Sequence, residues 1–327
     1  MLTATATRLD VRALTVEIST ESGWIRPVND VSFTLAEGET LGIVGESGSG
    51  KTMLSLALMG LEPPAARRHG EAWLETRAGG RTNLVTASRE ELRAARGRDI
   101  AMIFQEPMTA LDPVMRIGAQ IEEAIRIHDS RTSASGIRRR MIDALQLAAV
   151  PEPERRAHQY PHQLSGGLRQ RVMIAMALAP GPSVLIADEP TTALDVTVQK
   201  QILELLAQLR RDLYLSMLFI THDVGVVAQI ADRVMVMYAG RVVEEGPANE
   251  VLRHPRHPYT QGLLRAAPRL HRSNLAPIPG TVPALSALPP GCTFGPRCEI
   301  HVPECDAAVP KLHEISPDHR ARCILAS

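Results

Sequence analysis

Residues 45–52 read Gly-Glu-Ser-Gly-Ser-Gly-Lys-Thr, which matches the pattern G-x-x-x-x-G-K-[ST]. The glycines let successive backbone N–H groups turn inward around phosphate oxygens that a Cβ atom would exclude. An apolar run at residues 40–44 precedes this stretch and a run of helical composition at residues 53–60 follows it, which predicts a loop between a strand and a helix. We call residues 45–52 the phosphate cradle. In it, Lys51 is expected to contact the β- and γ-phosphates of a nucleotide, and the Thr52 hydroxyl to bind Mg²⁺.

A second part of a phosphate site is the sequence Val-Leu-Ile-Ala-Asp-Glu at residues 184–189. The four apolar residues predict a buried parallel strand, and the two carboxylates follow at the sheet edge where α/β proteins bind ligands. Asp188 is expected to contact Mg²⁺ through water, because Mg²⁺ keeps several waters and uses few carboxylates. Glu189 would polarise the attacking water. The alternative is that both acids cap the following helix, since Pro190 suits a helix start.

Four more motifs stand along the chain in a fixed order. They are Gln105 within Ile-Phe-Gln-Glu-Pro at 103–107, Leu-Ser-Gly-Gly-Leu-Arg-Gln-Arg at 164–171, Ala-Leu-Asp at 193–195, and His222 after an apolar run at 216–221. With the phosphate cradle and the acidic pair, they have the order and spacing of the ATP-binding cassette ATPases, which residues 9–260 resemble. The resemblance implies that ATP is bound by Gly45, Glu46, Ser47, Gly48, Ser49, Gly50, Lys51, Thr52, Gln105, Asp188, Ser165, Gly166, Gly167, Gln170 and Asp195.

The resemblance also implies separate roles for these residues. Gln105 would sense Mg²⁺ and the water, would join Thr52 and Asp188 in the metal site, and would link to a membrane partner. Residues 165–167 would close over the γ-phosphate of ATP held by an opposite subunit, because a helix N-terminus donates N–H groups to phosphate. Asp195 would cross the dimer interface. His222 would act as the switch histidine and complete the predicted catalytic set of Glu189, His222 and Gln105.

The implied fold is an α/β P-loop NTPase core, with a RecA-like parallel sheet and an antiparallel β subdomain. A helical subdomain at about residues 106–163 is inserted into the ATP-binding cassette domain at residues 9–250, and residues 251–327 form a loop-rich C-terminal extension. Helices are predicted at 118–128, 137–150 and 197–213, and strands at 31–35, 41–44, 184–187, 216–221 and 233–238. The chain shows no internal repeat, so it carries one cassette.

The residue that would stack on adenine is Trp24, the only aromatic residue before Phe33. The position that the family normally uses lies about two residues earlier, near Ser22. Trp24 could therefore stack on the base or pack against the protein, since an aromatic ring serves either purpose.

The segment after about residue 250 is rich in proline, with eight prolines between positions 255 and 290. This density is expected to break helices and to give an extended tail, separate from the ATP site, that leans on other parts of the protein. Its phrases His-Pro-Tyr-Thr at 257–260 and Gly-Cys-Thr-Phe-Gly-Pro-Arg-Cys at 291–298 are similar to the extension of oligopeptide and dipeptide transporter ATPases. Tyr-Pro-His-Gln at 160–163 and Glu46-Ser47 resemble the same subfamily. The resemblance implies import of peptides with an extracytoplasmic binding protein. Nickel, a metal chelate or another small solute is the alternative cargo.

All four cysteines lie in this extension, at Cys292, Cys298, Cys305 and Cys323. Disulfides are disfavoured where thiols are kept reduced, and the gaps are wider than the C-x₂₋₄-C pairs of structural zinc. Four thiolates in a loop-rich segment suit an iron–sulfur cluster, and the resemblance implies [4Fe–4S]. Zinc or free structural cysteines are the alternatives. The nearby histidines are expected at the surface; they are His301, His313 and His319.

Composition limits the partners. The 327 residues carry 36 basic and 36 acidic side chains, so no net charge favours nucleic acid. The sequence contains no apolar run of about 18 residues, which a membrane span would need, and the N-terminus lacks the apolar core of a signal peptide. We therefore expect a peripheral protein on the cytoplasmic face of the inner membrane, with a second cassette chain in a heterodimer and two permease chains. A cassette ATPase that acts on nucleic acid or ribosomes is the alternative class, but it normally has two cassettes or a long coiled coil.

Overall fold

Two β-sheets and a set of helices surround the phosphate cradle in the computed structural model, which describes residues 6–21, 23–106, 110–129, 131–192, 194–267 and 277–326. The strands are β1 (Thr7–Thr20), β2 (Gly23–Ala36), β3 (Thr40–Val44), β4 (Ala66–Glu75), β5 (Arg81–Asn83), β6 (Ile100–Ile103), β7 (Val184–Asp188), β8 (Ser216–Thr221), β9 (Arg233–Tyr238), β10 (Arg241–Pro247), β11 (His313–Ser316) and β12 (His319–Ala321). The α-helices are α1 (Lys51–Met59), α2 (Arg89–Ala95), α3 (Ile117–His128), α4 (Ala134–Leu147), α5 (Pro153–Ala157), α6 (Gly166–Leu178), α7 (Val196–Leu213), α8 (Val224–Ile230), α9 (Ala248–Arg253) and α10 (Pro258–Ala266). Short 3₁₀ turns span Pro161–Gln163, Gly295–Arg297 and Pro303–Asp306.

The central sheet has the strand order β11-β12-β10-β9-β3-β8-β7-β6. The five strands from β9 to β6 are parallel to one another, and β10, β12 and β11 extend the sheet with antiparallel pairing. Every residue of β3, β7 and β8 is buried, which explains their continuous apolar composition: parallel strands are covered on both faces. The predicted parallel core is confirmed, and β3 and β7 direct the phosphate cradle and the acidic pair to the same sheet edge.

A separate antiparallel sheet has the order β2-β1-β4-β5 and packs beside the cradle. Its buried side chains, including Leu14 and Leu35, share one apolar cluster with Leu54 and Leu58 of α1 and with Ile43 of β3. The predicted antiparallel β subdomain is therefore confirmed. It covers one side of the helix that follows the cradle.

Helices α3, α4 and α5 pack with α6 around one apolar cluster. Ile121, Ile125, Ile137 and Leu145 lie in that cluster and are buried. The predicted helix at 137–150 instead spans Ala134–Leu147. It starts earlier because Ser133 accepts a hydrogen bond from the N–H of Gly136 at 3.2 Å, and it ends earlier because Ala149 has φ 53°.

The C-terminal extension is more regular than its proline content predicts. Pro258 begins α10 at a position that needs no N–H donor, and the His257 side chain caps the helix by accepting the N–H of Tyr259 at 3.1 Å. Strand β12 pairs with β10 of the central sheet. The expectation that prolines exclude helices here is wrong for Pro258–Ala266, because proline at the first turn is compatible with a helix.

His319 departs from the surface position that was expected of it. It is 1% exposed, and its Nε2 lies 2.7 Å from Oε1 of the buried Glu244. This contact places His319 where β12 pairs with β10. His301 and His313 lie nearer the surface. Within the part of the chain that the structure describes, no helix has both the length and the apolar character that crossing a membrane requires.

Candidate functional site

The phosphate cradle connects the C-terminal end of β3 to the first turn of α1. Lys51 is 5% exposed, and its Nζ donates to the carbonyl oxygens of Gly45 at 2.7 Å and Glu46 at 3.0 Å. Burial lowers the pKa of Lys51, while the carboxylates of Glu189, Asp188 and Glu46 oppose that change. The ammonium group therefore lies inside the loop, beside the helix N-terminus that attracts anions.

Gly50 is required at the turn into α1. Its φ is 104°, and a Cβ atom there would lie 2.0 Å from the carbonyl oxygen of Pro27 in β2. Any side chain would have to displace the backbone of β2. The tight approach fixes the first turn of α1, whose backbone N–H groups face the cradle.

Asp188 lies at the end of β7 and next to the cradle. Its Oδ1 is 3.5 Å from Oγ1 of Thr52, and the residue is 1% exposed. Burial raises the pKa of Asp188 to about 6, and the hydrogen bond from Thr52 opposes that rise. A hydroxyl and a carboxylate at this separation are the oxygen donors that Mg²⁺ accepts, so Thr52 and Asp188 fit the predicted metal site.

Glu189 is the centre of a polar cluster. Its Oε2 accepts hydrogen bonds from Nε2 of Gln105 at 3.1 Å and Oγ1 of Thr192 at 2.8 Å, and its Oε1 lies 3.2 Å from Nδ1 of His222. Its φ of 48° is a left-handed conformation that non-glycine residues adopt rarely and that is concentrated at functional sites. The structure thus brings together Gln105, Glu189 and His222, as predicted. The alternative that the acidic pair caps the next helix is wrong, because Asp195 caps α7.

The segment 165–167 begins α6 at an exposed face. Ser165 is the N-cap of α6, and its Oγ accepts the N–H of Leu168 at 3.4 Å. Ser165 and Gly166 are exposed, whereas a Cβ at Gly167 would lie 2.7 Å from Cγ1 of Val198 in α7. This helix N-terminus therefore presents N–H groups to a ligand outside the chain's own core.

Three other predicted residues have simpler surroundings. Gln170 is 2% exposed inside α6, and its Nε2 has no hydrogen-bond partner among the described residues. The Oδ1 of Asp195 accepts the N–H groups of Thr197 and Val198, each at 3.0 Å. Trp24 is 46% exposed, and the guanidinium carbon of Arg67 lies 4.2 Å from its ring centroid. Ser22 and Ala193 lie outside the described residues.

The C-terminal extension contacts the cradle directly. Arg297 donates from Nη1 and Nη2 to the two carboxylate oxygens of Glu46, at 2.7 and 3.1 Å. The backbone N–H of Glu46 donates to the hydroxyl of Tyr259 at 2.8 Å. The expectation that the ATP site is separate from the extension is therefore wrong. The contact joins residues 251 positions apart, which local sequence patterns do not reveal.

The four cysteines line one pocket of the extension. Its other walls are mostly apolar and come from His257, Pro258, Phe294, Gly295, Pro310, Ile324 and Leu325. Burial raises the pKa of the Cys292 and Cys298 thiols, and backbone N–H groups that face their sulfurs partly oppose the rise. No group of three or more His, Cys, Asp or Glu side chains in the described ranges is arranged to hold a metal ion. The donor set is nevertheless four thiols around one apolar space.

Sequence reasoning missed Thr192, Arg297 and Tyr259. Thr192 follows Glu189 by three positions, so its contact could have been inferred from the turn after the acidic pair. The signal for Arg297 was weaker: Glu46 is an acidic residue inside an anion-binding loop and therefore needs a cation nearby.

Comparisons with known proteins agree with this geometry. The family described as ABC transporter matches residues 28–192, and the family described as oligopeptide/dipeptide transporter, C-terminal region, matches residues 243–305. A Brucella ovis protein that is named a peptide import ATP-binding protein is 49% identical over 329 residues, which cover 97% of this chain and 96% of that protein. A Brucella abortus protein of the same description is 48% identical over 321 residues, covering 98% of this chain and 95% of its own length.

Solved structures show the same cassette architecture. The dimeric bacterial ABC transporter cassette MJ0796 is similar with a TM-score of 0.64 and 28% identity, over 73% of this chain and 98% of that one. Its post-hydrolysis state with bound ADP and phosphate gives a TM-score of 0.64 and 29% identity over the same shares. With a phosphate cradle, an acidic pair and the Ser165-capped helix α6 in the positions described above, the chain belongs to the ABC transporter family and is one of its P-loop ATPases.

Proposed function

We propose that this chain is the ATP-hydrolysing subunit of a binding-protein-dependent importer of dipeptides and oligopeptides. The observation that carries the proposal is a family match: residues 243–305, which overlap the extension, match the C-terminal region of oligopeptide and dipeptide transporters. This region contacts a cassette that carries the phosphate cradle and the Glu189 cluster. The names of the Brucella relatives support the same cargo. The cassette domain is assigned to residues 9–250 and the extension to residues 251–327.

The proposed chemistry uses the residues gathered around the cradle. Residues 45–52 bind the phosphates, and Glu189 polarises the attacking water. The Glu189 carboxylate is held in position by Gln105, Thr192 and His222. Thr52, Asp188 and Gln105 would hold Mg²⁺, which neutralises phosphate charge when bound. Trp24 is proposed to stack on adenine, because 46% of its surface is exposed although the Arg67 guanidinium covers one ring face.

A second cassette chain is proposed to complete each ATP site. The exposed N-terminus of α6 at Ser165 and Gly166 offers N–H groups that suit the γ-phosphate of ATP bound to a partner cassette. Asp195 and the 82% exposed Val196 would lie at that interface. The dimeric cassette MJ0796 supports this arrangement by analogy.

The second-cassette proposal predicts an asymmetric effect of Ser165→Arg. The variant should keep ATP binding in its own cradle and reduce hydrolysis at the partner's site by about 100-fold, because the loss of phosphate donors acts across the interface. A heterodimer with Glu189→Gln in this chain hydrolyses ATP only at the partner's site. A heterodimer with the equivalent substitution in the partner chain hydrolyses ATP only at this chain's site. Equal loss at both sites, or parent-level hydrolysis by a demonstrably monomeric chain, would contradict it.

Two permease chains and an extracytoplasmic binding protein are the other proposed partners. The helices within about residues 106–163 would receive the permease, which would hold the chain at the cytoplasmic face of the inner membrane. Gln105 lies at the start of that segment and contacts Glu189, so it can link permease contact to the catalytic cluster. After expression without the permease chains, the protein should remain unattached to membranes in a flotation assay.

The four-cysteine pocket is proposed to hold a [4Fe–4S] cluster. Thiols on a single tetrahedral zinc would lie only about 3.8 Å apart, because each Zn–S bond is about 2.3 Å, whereas a cubane takes one thiolate at each iron and holds them farther apart. The observation that supports the cluster is that all four thiols line one pocket, so that each could bind one iron of a cubane. N–H groups at the Cys292 and Cys298 sulfurs would further stabilise it.

Peptide uptake by cells tests the proposed cargo. A strain that lacks this gene should lose growth on dipeptides or oligopeptides as the nitrogen source, and the parent gene should restore growth. The Glu189→Gln variant should not restore it, whereas Glu204→Gln, at an exposed position of α7, should. Normal peptide growth in the deletion strain, with loss of nickel or chelate uptake, would replace peptides with that cargo.

A further inference from the structure

A charged pair, Arg297 and Glu46, links the extension to the phosphate cradle beside the hydrogen bond from Glu46 to Tyr259. Both terminal nitrogens of Arg297 bind the carboxylate of Glu46, at 2.7 and 3.1 Å, and the Arg297 side chain is 4% exposed. Its Nε donates to the carbonyl oxygen of Pro279 at 2.9 Å. The Nε atom of Arg297 is therefore bonded to the extension, while Nη1 and Nη2 bind the cradle carboxylate. This bidentate geometry favours Arg over Lys.

The turn that carries Arg297 rests on a rigid aromatic cluster. It begins at Phe294, whose ring centroid lies 5.3 Å from that of Tyr238 and 5.4 Å from that of Tyr259. Tyr238 and Tyr259 are fully buried and lie 4.6 Å apart. Since Tyr238 ends β9 of the central sheet, the position of Arg297 is fixed relative to the cassette core.

Glu46 is an acidic side chain in a loop that must accept a triphosphate. Its carbonyl oxygen accepts a hydrogen bond from Nζ of Lys51 at 3.0 Å, and its N–H donates to Tyr259 at 2.8 Å. Without a compensating cation, this carboxylate would repel the phosphates of an incoming nucleotide.

We propose that Arg297 is a positioning residue for ATP: it neutralises Glu46 and holds that carboxylate toward the extension, so that the cradle accepts the triphosphate. The extension is then part of the nucleotide site as well as a separate cysteine-bearing segment. The proposal goes beyond peptide import and does not depend on the cargo, because its readout is nucleotide binding by this chain.

Nucleotide titration of the full-length chain tests the proposal. The dissociation constant of a non-hydrolysable ATP analogue with Mg²⁺ is measured for Arg297→Met, Arg297→Lys and the double variant Arg297→Met/Glu46→Gln. Arg297→Met should weaken binding about tenfold at low ionic strength and about threefold in 0.5 M salt, because salt screens the partly exposed Glu46 carboxylate that the variant leaves unpaired. Arg297→Lys should retain more affinity than Arg297→Met. The double variant should recover to within about threefold of the parent, because the unpaired carboxylate is gone.

The control is Arg265→Met, which breaks the exposed ion pair with Glu299 elsewhere in the extension and should leave affinity unchanged. Thermal unfolding of each variant establishes that it is folded. If Arg297→Met does not fold, the Arg297→Lys variant and its double variant with Glu46→Gln carry the same comparison. Parent affinity in folded Arg297 variants, or a double variant that binds no better than the single variant, would overturn the proposal.

Discussion

Glu189 is the residue on which the proposed hydrolysis depends most. Its carboxylate is oriented by Gln105, Thr192 and His222, all within 3.2 Å, and its backbone holds the rare φ of 48°. Three groups therefore fix one carboxylate beside the cradle. Such orientation is what a general base needs, because proton transfer falls off steeply when the base is misplaced.

Glu189→Gln should keep ATP binding and reduce hydrolysis by at least about 100-fold, because the amide retains the shape of the side chain and lacks its charge. Filter binding and phosphate release on the assembled transporter measure the two effects. Glu204→Gln, in the exposed pair with Lys200, is the matched control and should change neither. Hydrolysis at the parent rate in the site that carries Glu189→Gln would remove Glu189 from its assigned role.

Residue-level sequence patterns predicted where the local parts of the candidate site lie in the fold. The cradle, the acidic pair and His222 each follow a strand of the parallel sheet, so strand prediction alone places them at one edge. Arg297 could not be placed in this way. Its contact with Glu46 spans 251 positions and depends on how the extension packs on Tyr238 and Tyr259.

At the scale of elements, β10 and β12 join the extension to the cassette. Glu244 of β10 accepts the N–H groups of Arg256 and His257 at 2.7 and 2.9 Å, and it lies 2.7 Å from the imidazole Nε2 of His319 in β12. Both side chains of this pair are at most 2% exposed. The Glu244 carboxylate thus accepts hydrogen bonds from two segments that are separated in sequence, residues 256–257 and His319.

Glu244→Ala should lower the free energy of unfolding by about 3 kcal/mol, because it leaves two buried donors, the His257 N–H and the His319 imidazole, without their acceptor. Thermal or urea unfolding measures this loss, and limited proteolysis should show earlier cleavage within residues 251–326. Glu204→Ala, which disrupts only an exposed ion pair, should leave both unchanged. An equally stable Glu244→Ala protein with a resistant extension would show that β12 is anchored by other contacts.

The strands of the parallel sheet were the elements best predicted from sequence, and the extension was the least. Apolar composition in runs such as Ser216–Thr221 and Arg233–Tyr238 predicts buried strands. Strand His319–Ala321 has no such pattern, since its formation depends on pairing with β10 and on the buried contact of His319 with Glu244. The prediction that proline breaks helices failed at Pro258 for a different reason. Proline is common in the first turn of a helix, and Pro258 begins α10.

At the scale of the whole molecule, the cysteine pocket and the ATP site are connected through Arg297. Protein purified without oxygen should contain about four irons and four acid-labile sulfides per chain. Any one of the four Cys→Ser changes should lower the iron content and, through the neighbouring Arg297, weaken ATP binding. Metal analysis and nucleotide titration of the same samples measure both effects.

His301→Gln is the control for this measurement, because His301 lies near the pocket and its Nε2 is 3.0 Å from Oδ1 of Asp306. The variant should keep its iron. Stoichiometric zinc in colourless protein would identify a zinc site in place of the cluster. Absence of both metals, with an equally resistant extension, would mean that the cysteines only pack.

The most direct test of the whole account is ATP hydrolysis by the transporter reconstituted in lipid vesicles with its permease chains, second cassette and binding protein. Hydrolysis should rise several-fold when the binding protein carries a peptide, and substitution of Glu189 by Gln in this chain should abolish the rise. If the rate is the same with peptide-loaded and empty binding protein, or if the Glu189→Gln transporter responds like the parent, this chain does not couple ATP hydrolysis to peptide import.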